Sequence, residues 1–130
     1  MDHTLITSVE VTKRPVVLCL SASVLPLAEK IGQAIDGDVH GLAGRCCAAQ
    51  HQFEHTMSHI SALYVAGRPV VGLCAVAILI RAIAPHLGHK QSDPPVLAIA
   101  EDGSSIIPLM GLHHGGTALS TAIYKAIGGK

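Results

Sequence analysis

Polar and apolar positions along this chain fall into short blocks whose period switches between that of a strand and that of a helix. Pro15-Val-Val-Leu-Cys-Leu20 is a continuous apolar run stopped by Ser21, and it predicts a strand buried on both faces. Val24, Leu27, Ala28, Ile31, Ala34 and Ile35 then repeat at helical spacing until Asp36-Gly37-Asp38 ends them. Val39 to Leu42 predicts a second strand, and Arg45 to Gln50 a loop or helix lead-in. From His51 to Ala66 a helical period runs through Phe53, Met57, Ile60 and Tyr64, and Gly67-Arg68-Pro69 breaks it. Val70 to Cys74 reads as a strand that passes directly into a helix over Val76 to Ala84, closed near Pro85. Asp93-Pro94-Pro95 opens a further strand, Val96 to Ala100, and Glu101-Asp102-Gly103-Ser104 is a turn in which glycine supplies positive φ. Ser105 to Met110 is a hairpin partner or neighbouring strand. Thr117 to Ile127 is a helix with Leu119, Ile123 and Ile127 on one face, ended by Gly128-Gly129.

Strands alternating with helices predict an α/β fold: a three-layer α/β/α sandwich around a mainly parallel sheet of about five strands. Residues 15–130 form one domain, preceded by an N-terminal extension over residues 1–14. Ligands on such sheets bind beyond the carboxyl ends of the strands. That rule brings three loops into view: Ser21-Ala22-Ser23, Cys74-Ala75-Val76 and Gly111 to Gly116.

Composition narrows the function classes. Nine Lys+Arg balance nine Asp+Glu, and the pI is near 7.1, so a phosphate-driven nucleic-acid binder is disfavoured. With no Trp, one Phe and two Tyr there is no aromatic platform for base stacking, and the core falls to Val, Ile, Leu and Ala. A mean hydropathy of +0.46 with 14% charge excludes a disordered tail. Met1 to Arg14 lacks the basic start and apolar run of a signal peptide, and the run from Val70 to Ile80 is too short to span a bilayer. A cytoplasmic protein without membrane association is expected. Cys19, Cys46, Cys47 and Cys74 show neither zinc-finger nor CxxC spacing, and reduced thiols are expected. So few charges leave room for a homo-oligomeric interface.

Three features can carry chemistry. His51, His55 and His59 form an H-x3-H-x3-H series, a spacing that can share a metal. On a helix at about 100° per residue they fall near 0–80°, opposite Phe53, Met57, Ile60 and Tyr64 at about 180–240°. They read as a solvated polar face, with a metal or subunit contact as the alternative. Gly111-Leu-His-His-Gly-Gly116 precedes the last helix, where glycines permit close backbone approach and the N–H groups from Thr117 onward can hold an anion. A histidine there can act as acid, base or donor to a carboxylate; the other reading is a solvated Gly-rich connection. Arg81 interrupts an apolar helix and either snorkels to water or aims its fork at a substrate carboxylate. Ser21 and Ser23 are read as caps of the first helix.

Residues 68–127 resemble a known family. The segment Arg68-Pro-Val-Val-Gly-Leu-Cys-Ala-Val-Ala-Ile-Leu-Ile-Arg-Ala-Ile-Ala-Pro85 is similar to its strand-turn-helix signature. Lys90, Asp93-Pro94-Pro95-Val96, Glu101-Asp102-Gly103 and Ile107-Pro108-Leu109 match its following strands, and Gly111-Leu-His-His-Gly-Gly116 its Gly-His-rich loop. The family is the N-terminal domain of the cobalamin biosynthesis protein CbiG, cobalt-precorrin-5A hydrolase, in the form fused to precorrin-3B methyltransferase. Residues 15–67 fit more loosely, through His40-Gly41-Leu42-Ala43-Gly44-Arg45, Phe53 and His59. Leu112 stands where the family has glycine, Thr117 and Ala118 take its Ala-Asn places, and Ala77 replaces a common glycine.

The resemblance implies a hydrolase that opens a lactone on a ring-contracted tetrapyrrole and expels a two-carbon unit as acetaldehyde. It implies His113 as acid/base or water-orienting residue. Arg81, His114, Gly115, Gly116 and Thr117 would bind the substrate. No resident cofactor or metal is expected, any cobalt belonging to the substrate. The implied partners are a corrinoid or precorrin small molecule and a precorrin methyltransferase. A non-catalytic binding or delivery domain is the alternative function, and a metal-binding protein using the His51/His55/His59 stripe the second.

Overall fold

Alternate residues of the central strands point into two separate apolar cores, and this sets the architecture. The computed structural model describes residues 13–88, 93–112 and 115–128. The elements are β1 (Val16–Cys19), α1 (Leu25–Ile35), β2 (Asp38–Leu42), β3 (His51–Phe53), α2 (Thr56–Val65), β4 (Val70–Leu73), α3 (Val76–Ile83), β5 (Val96–Ile99), β6 (Ile106–Met110) and α4 (Gly116–Ile123). Val16, Leu18, Val70, Val96 and Ala98 face α2 and α3, packing on Ile60, Leu63, Tyr64, Leu79, Ala82 and Ile83. Val17, Cys19, Val71, Leu73, Leu97 and Ile99 face α1 and α4, packing on Leu25, Ala28, Ile31 and Ile123. β1, β4 and β5 are buried along their whole length, the continuous apolar pattern of parallel strands covered on both sides.

The sheet has six strands in the order β3-β2-β1-β4-β5-β6, all parallel except β6, which runs antiparallel to β5. The α/β sandwich is as expected, with one strand more. That strand, β3, comes from the segment expected to begin a helix at His51. His51↔His40 and Phe53↔Leu42 pair with β2, and the Ala43 N–H donates to the Phe53 carbonyl at 2.7 Å. Phe53 reaches the same core from a strand as it would from a helix, which is why a helical period ran through it. α2 starts only at Thr56 and buries Ile60, Leu63 and Tyr64, whereas Met57 is 39% exposed.

Two parallel neighbours joined without a helix need another covering layer. Residues 43–50 supply it, with Cys46 and Ala49 buried in the α1-side core. The structure joins Cys19 to Cys46 as a disulfide, against the expectation of free thiols. Gly41 makes the approach possible, since a Cβ there would lie 2.6 Å from the Cys46 Cβ. Cys47 and Cys74 are free. Among the described residues no helix is long and apolar enough to cross a membrane.

Candidate functional site at the amino end of the sheet

Strand direction divides the expected loops between opposite ends of the molecule. Ser21-Ala22-Ser23 and Cys74-Ala75 follow β1 and β4, whose neighbours lie to opposite sides, so they flank the switch point at the carboxyl ends. β6 is antiparallel, and Met110 pairs with Val96, the first residue of β5. Gly111 to Gly116 therefore leaves the sheet at the amino ends of the parallel strands. The expectation that all three loops lie beyond the carboxyl ends of the strands is corrected for the Gly111 loop by that single strand reversal.

The carboxyl-end crevice is filled rather than open. The Cys19 and Cys46 sulfurs lie 3.1 and 3.3 Å from the Ser21 carbonyl oxygen. The Ser21 and Ser23 hydroxyls bond each other at 2.9 Å. Ser21 stands at the N-cap of the 3-10 turn Ala22–Val24 that leads into α1, but its side chain makes no capping bond, and Ser23 lies within that turn. Cys74 is buried, and burial together with the Glu101 charge pushes its thiol up to about 11.

The amino end is built from loops stitched together. The Val16 N–H donates to the Pro69 carbonyl, Val70 to Pro95 and Asp38 to Pro15, each at 2.9 Å. Asp38 accepts from Arg14 at 2.9 Å and from Arg68 at 2.7 Å, and the Arg14 hydrogen bond holds its carboxyl below the usual range. Arg68 thus has a structural duty in the signature segment. The Pro94-Pro95 turn forms the seat of the Gly111 loop. Gly111 has φ +70, and a Cβ there would meet the Pro94 carbonyl carbon and the Pro95 nitrogen at 2.6 Å, so only glycine fits. Gly115, at φ +112, is the N-cap of α4 beside the Pro95 ring.

Of the expected anion receivers, the Gly116 N–H is already taken by the Gly111 carbonyl at 3.1 Å, and Gly116 is buried. Gly115 and Thr117 are exposed. The first α-helical bond to Gly115 comes from the Leu119 N–H, which leaves Thr117 and Ala118 as the first-turn N–H donors of α4. The Thr117 hydroxyl closes the loop by donating to the Leu112 carbonyl at 3.3 Å. His113 and His114 lie outside the described residues. Arg81 sits exposed in the last turn of α3, toward the same end of the sheet. It belongs to the layer across the sheet from α4, and among the described residues it makes no ion pair or hydrogen bond.

The histidine stripe does not exist as one helical face. His51 is on β3, His55 is the N-cap of α2 and His59 is within α2. The residue the sequence reading passed over is His40, whose Nδ1 lies 2.8 Å from the His59 Nε2. The His51 ring lies 5.2 Å from the His40 ring, and Phe53 stacks on His59 at 4.4 Å. Burial first, then the neighbouring His59 and His51 and the Arg68 charge, push His40 down to about 4. Two imidazoles bonded to each other do not converge on a shared point, and among the described residues no three His, Cys, Asp or Glu side chains form a metal-holding group. A groove of about 490 Å³ beside α1 and the start of β2 is lined by Arg14, Glu29, Gln33, Asp36, Asp38 and Val39, and so runs up to the Arg14–Asp38 pair of the amino end.

These features define a doubly covered α/β domain with a Gly-rich helix entrance at the amino end of its sheet. A family model for the cobalamin synthesis G N-terminal domain matches residues 58–130, more than half the chain, and the chain belongs to that family. The fold is similar to the crystal structure of a protein described as a cobalamin biosynthesis protein G homolog from Sulfolobus solfataricus. That likeness has a TM-score of 0.60 at 14% identity and covers 88% of this chain. The chain spans 34% of the length of that protein. No curated protein matches the sequence.

Proposed function

We propose that this domain works in cobalamin biosynthesis on a corrinoid-pathway intermediate, as a cobalt-precorrin-5A hydrolase-like lactone opener. The observation that carries the reading is the Gly111–Gly116 turn into α4, seated on Pro94-Pro95, in a chain of the cobalamin synthesis G N-terminal family. A substrate rich in peripheral carboxylates suits the Thr117 and Ala118 N–H groups, with Arg81 as a cationic contact. His113 and His114 stand in sequence between Leu112 and Gly115; His113 is assigned the acid/base or water-orienting role and His114 a binding role. Water adds to the lactone carbonyl and the acyl C–O bond breaks, giving a carboxylate and an alcohol on the bridging carbon. That alcohol then loses its proton as its C=O forms, the C–C bond joining the bridging carbon to the ring breaks with its electron pair passing into the conjugated ring, and the two-carbon unit leaves as acetaldehyde. Cobalt, where present, belongs to the substrate.

A second reading is favoured by the 34% coverage of the longer protein and by Thr117-Ala118 in the family's Ala-Asn places. It makes the domain a holder of the intermediate, delivering it to a precorrin methyltransferase. The deciding experiment titrates the chain with the cobalt-precorrin lactone, following absorbance and trapping acetaldehyde, beside His113→Ala. Acetaldehyde from wild type and its loss in the variant is the expected result. Saturable binding without acetaldehyde selects the delivery reading, and no binding overturns both.

A further inference from the structure

Tyr64 is the bulkiest fully buried side chain among the described residues, at 0% exposure near the end of α2. Phenylalanine would fill the same volume, so the hydroxyl is the feature to explain. A phenol buried this deeply needs a partner for its O–H. It donates to the Asp93 carboxylate at 2.5 Å, across a sequence separation of 29. Asp93 begins the turn that continues as Pro94-Pro95. Gly111 closes against the backbone of that turn, Gly115 against the Pro95 ring, and the Gly116 N–H bonds back to Gly111.

We propose that Tyr64 is a positioning residue for the amino-end loop: by holding Asp93 it fixes the Pro94-Pro95 seat, and the seat fixes Gly111 and the Gly115-Gly116 entrance to α4. Only what the loop binds rests on the function proposed above. Prolines restrict the seat internally, but their backbone has no N–H with which to anchor it, so the anchor must come from outside the turn. The Val70 N–H to the Pro95 carbonyl is one tether, and Tyr64 to Asp93 is the second. The first belongs to the sheet. The second reaches from a helix in another layer, and it sets the turn's position relative to the α2–α3 core.

The test is amide hydrogen exchange on the whole chain. The Gly116 N–H reports loop closure, and the Ile31 N–H in α1 reports the opposite core. Tyr64→Phe is expected to raise Gly116 exchange roughly ten-fold while Ile31 stays within about two-fold, because a charge-assisted bond is lost locally. Asp93→Ala, which truncates the half-buried partner outside the core, is expected to match it should Tyr64→Phe fail to fold. Asp93→Asn keeps an oxygen acceptor and is expected to restore most of the protection. Affinity for the cobalt-precorrin lactone should fall and recover in the same order. Wild-type Gly116 exchange in Tyr64→Phe, or equal acceleration at Gly116 and Ile31, would overturn the proposal. A wild type that binds no lactone defeats the function proposed above and leaves the exchange comparison to decide Tyr64.

Discussion

The two ends of this sheet make opposite use of similar loops. At the carboxyl ends, where parallel α/β sheets ordinarily hold ligands, the space between β1 and β4 is closed by the Cys19 and Cys46 sulfurs and the buried Cys74. At the amino ends, proline turns, an Arg14–Asp38–Arg68 ion network and a positive-φ glycine support the entrance to α4. One reversed strand produces the difference. Because β6 runs back alongside β5, the last helix starts where the others end. The switch-point rule locates a crevice from strand order alone; it says nothing of a loop delivered by an antiparallel edge.

The largest effect should come from a pair of glycine substitutions, one at each end. Gly111 and Gly44 both hold positive φ, at +70 and +83, so alanine is strained at both. They differ in space: a Cβ on Gly44 meets nothing within 4 Å, whereas one on Gly111 collides with Pro94 and Pro95. Gly44→Ala should cost about 1 kcal/mol by chemical denaturation, and Gly111→Ala about 3 kcal/mol or more. Equal losses would mean that the seat yields, and the contrast between the ends would lose its physical basis.

What was legible in the sequence follows from burial. β1, β4 and β5 are continuous apolar runs with proline or glycine before them, and their bounds are close to those expected. The Gly103 turn and the Asp36-Gly37 stop of α1 were also readable, because each uses a backbone conformation that few residues favour. β3 was not, since three residues at a sheet edge carry no period and Phe53 fits either one. Nor was the end of the sheet from which the Gly111 loop emerges, because a hairpin partner and a parallel neighbour have the same pattern over Ile106 to Met110. His40, Tyr64 and Asp93 were invisible as partners, since each finds its contact far along the chain and through space.

The next effect concerns that misread edge, where pH acts on stability. Burial is the main cause holding His40 at about 4 and His59 below its ordinary value; the Arg68 charge also depresses both. Asp38 opposes the shift at His40. A folded-state pKa below the unfolded value of about 6.5 means that the unfolded chain takes up the proton first. The associated stability is fully present above pH 6.5 and is lost as pH falls through the window down to about 4. Allowing for partial exposure, wild type should lose on the order of 1–2 kcal/mol between pH 7 and 5, and His40→Asn distinctly less. Denaturation midpoints at the two pH values measure it. The same pH sensitivity in variant and wild type would show that the His40–His59 pair is not the source.

The smallest effect tests whether the carboxyl-end crevice is chemically quiet. A thiol must ionise to attack an alkylating reagent, and it must be reached. Cys74 meets neither condition near neutral pH, because burial and the Glu101 charge hold its pKa up to about 11. Cys47 is exposed on the loop that covers β1 and β2. Iodoacetamide followed by mass analysis should therefore label Cys47 well before Cys74. Cys74→Ala, a small deletion outside the amino-end loop, should leave lactone affinity within about two-fold. Labelling of both thiols at one rate, or a loss of affinity in Cys74→Ala as large as in Gly111→Ala, would return the ligand to the switch point. The reversal of β6 would then set the sheet's topology without setting its chemistry.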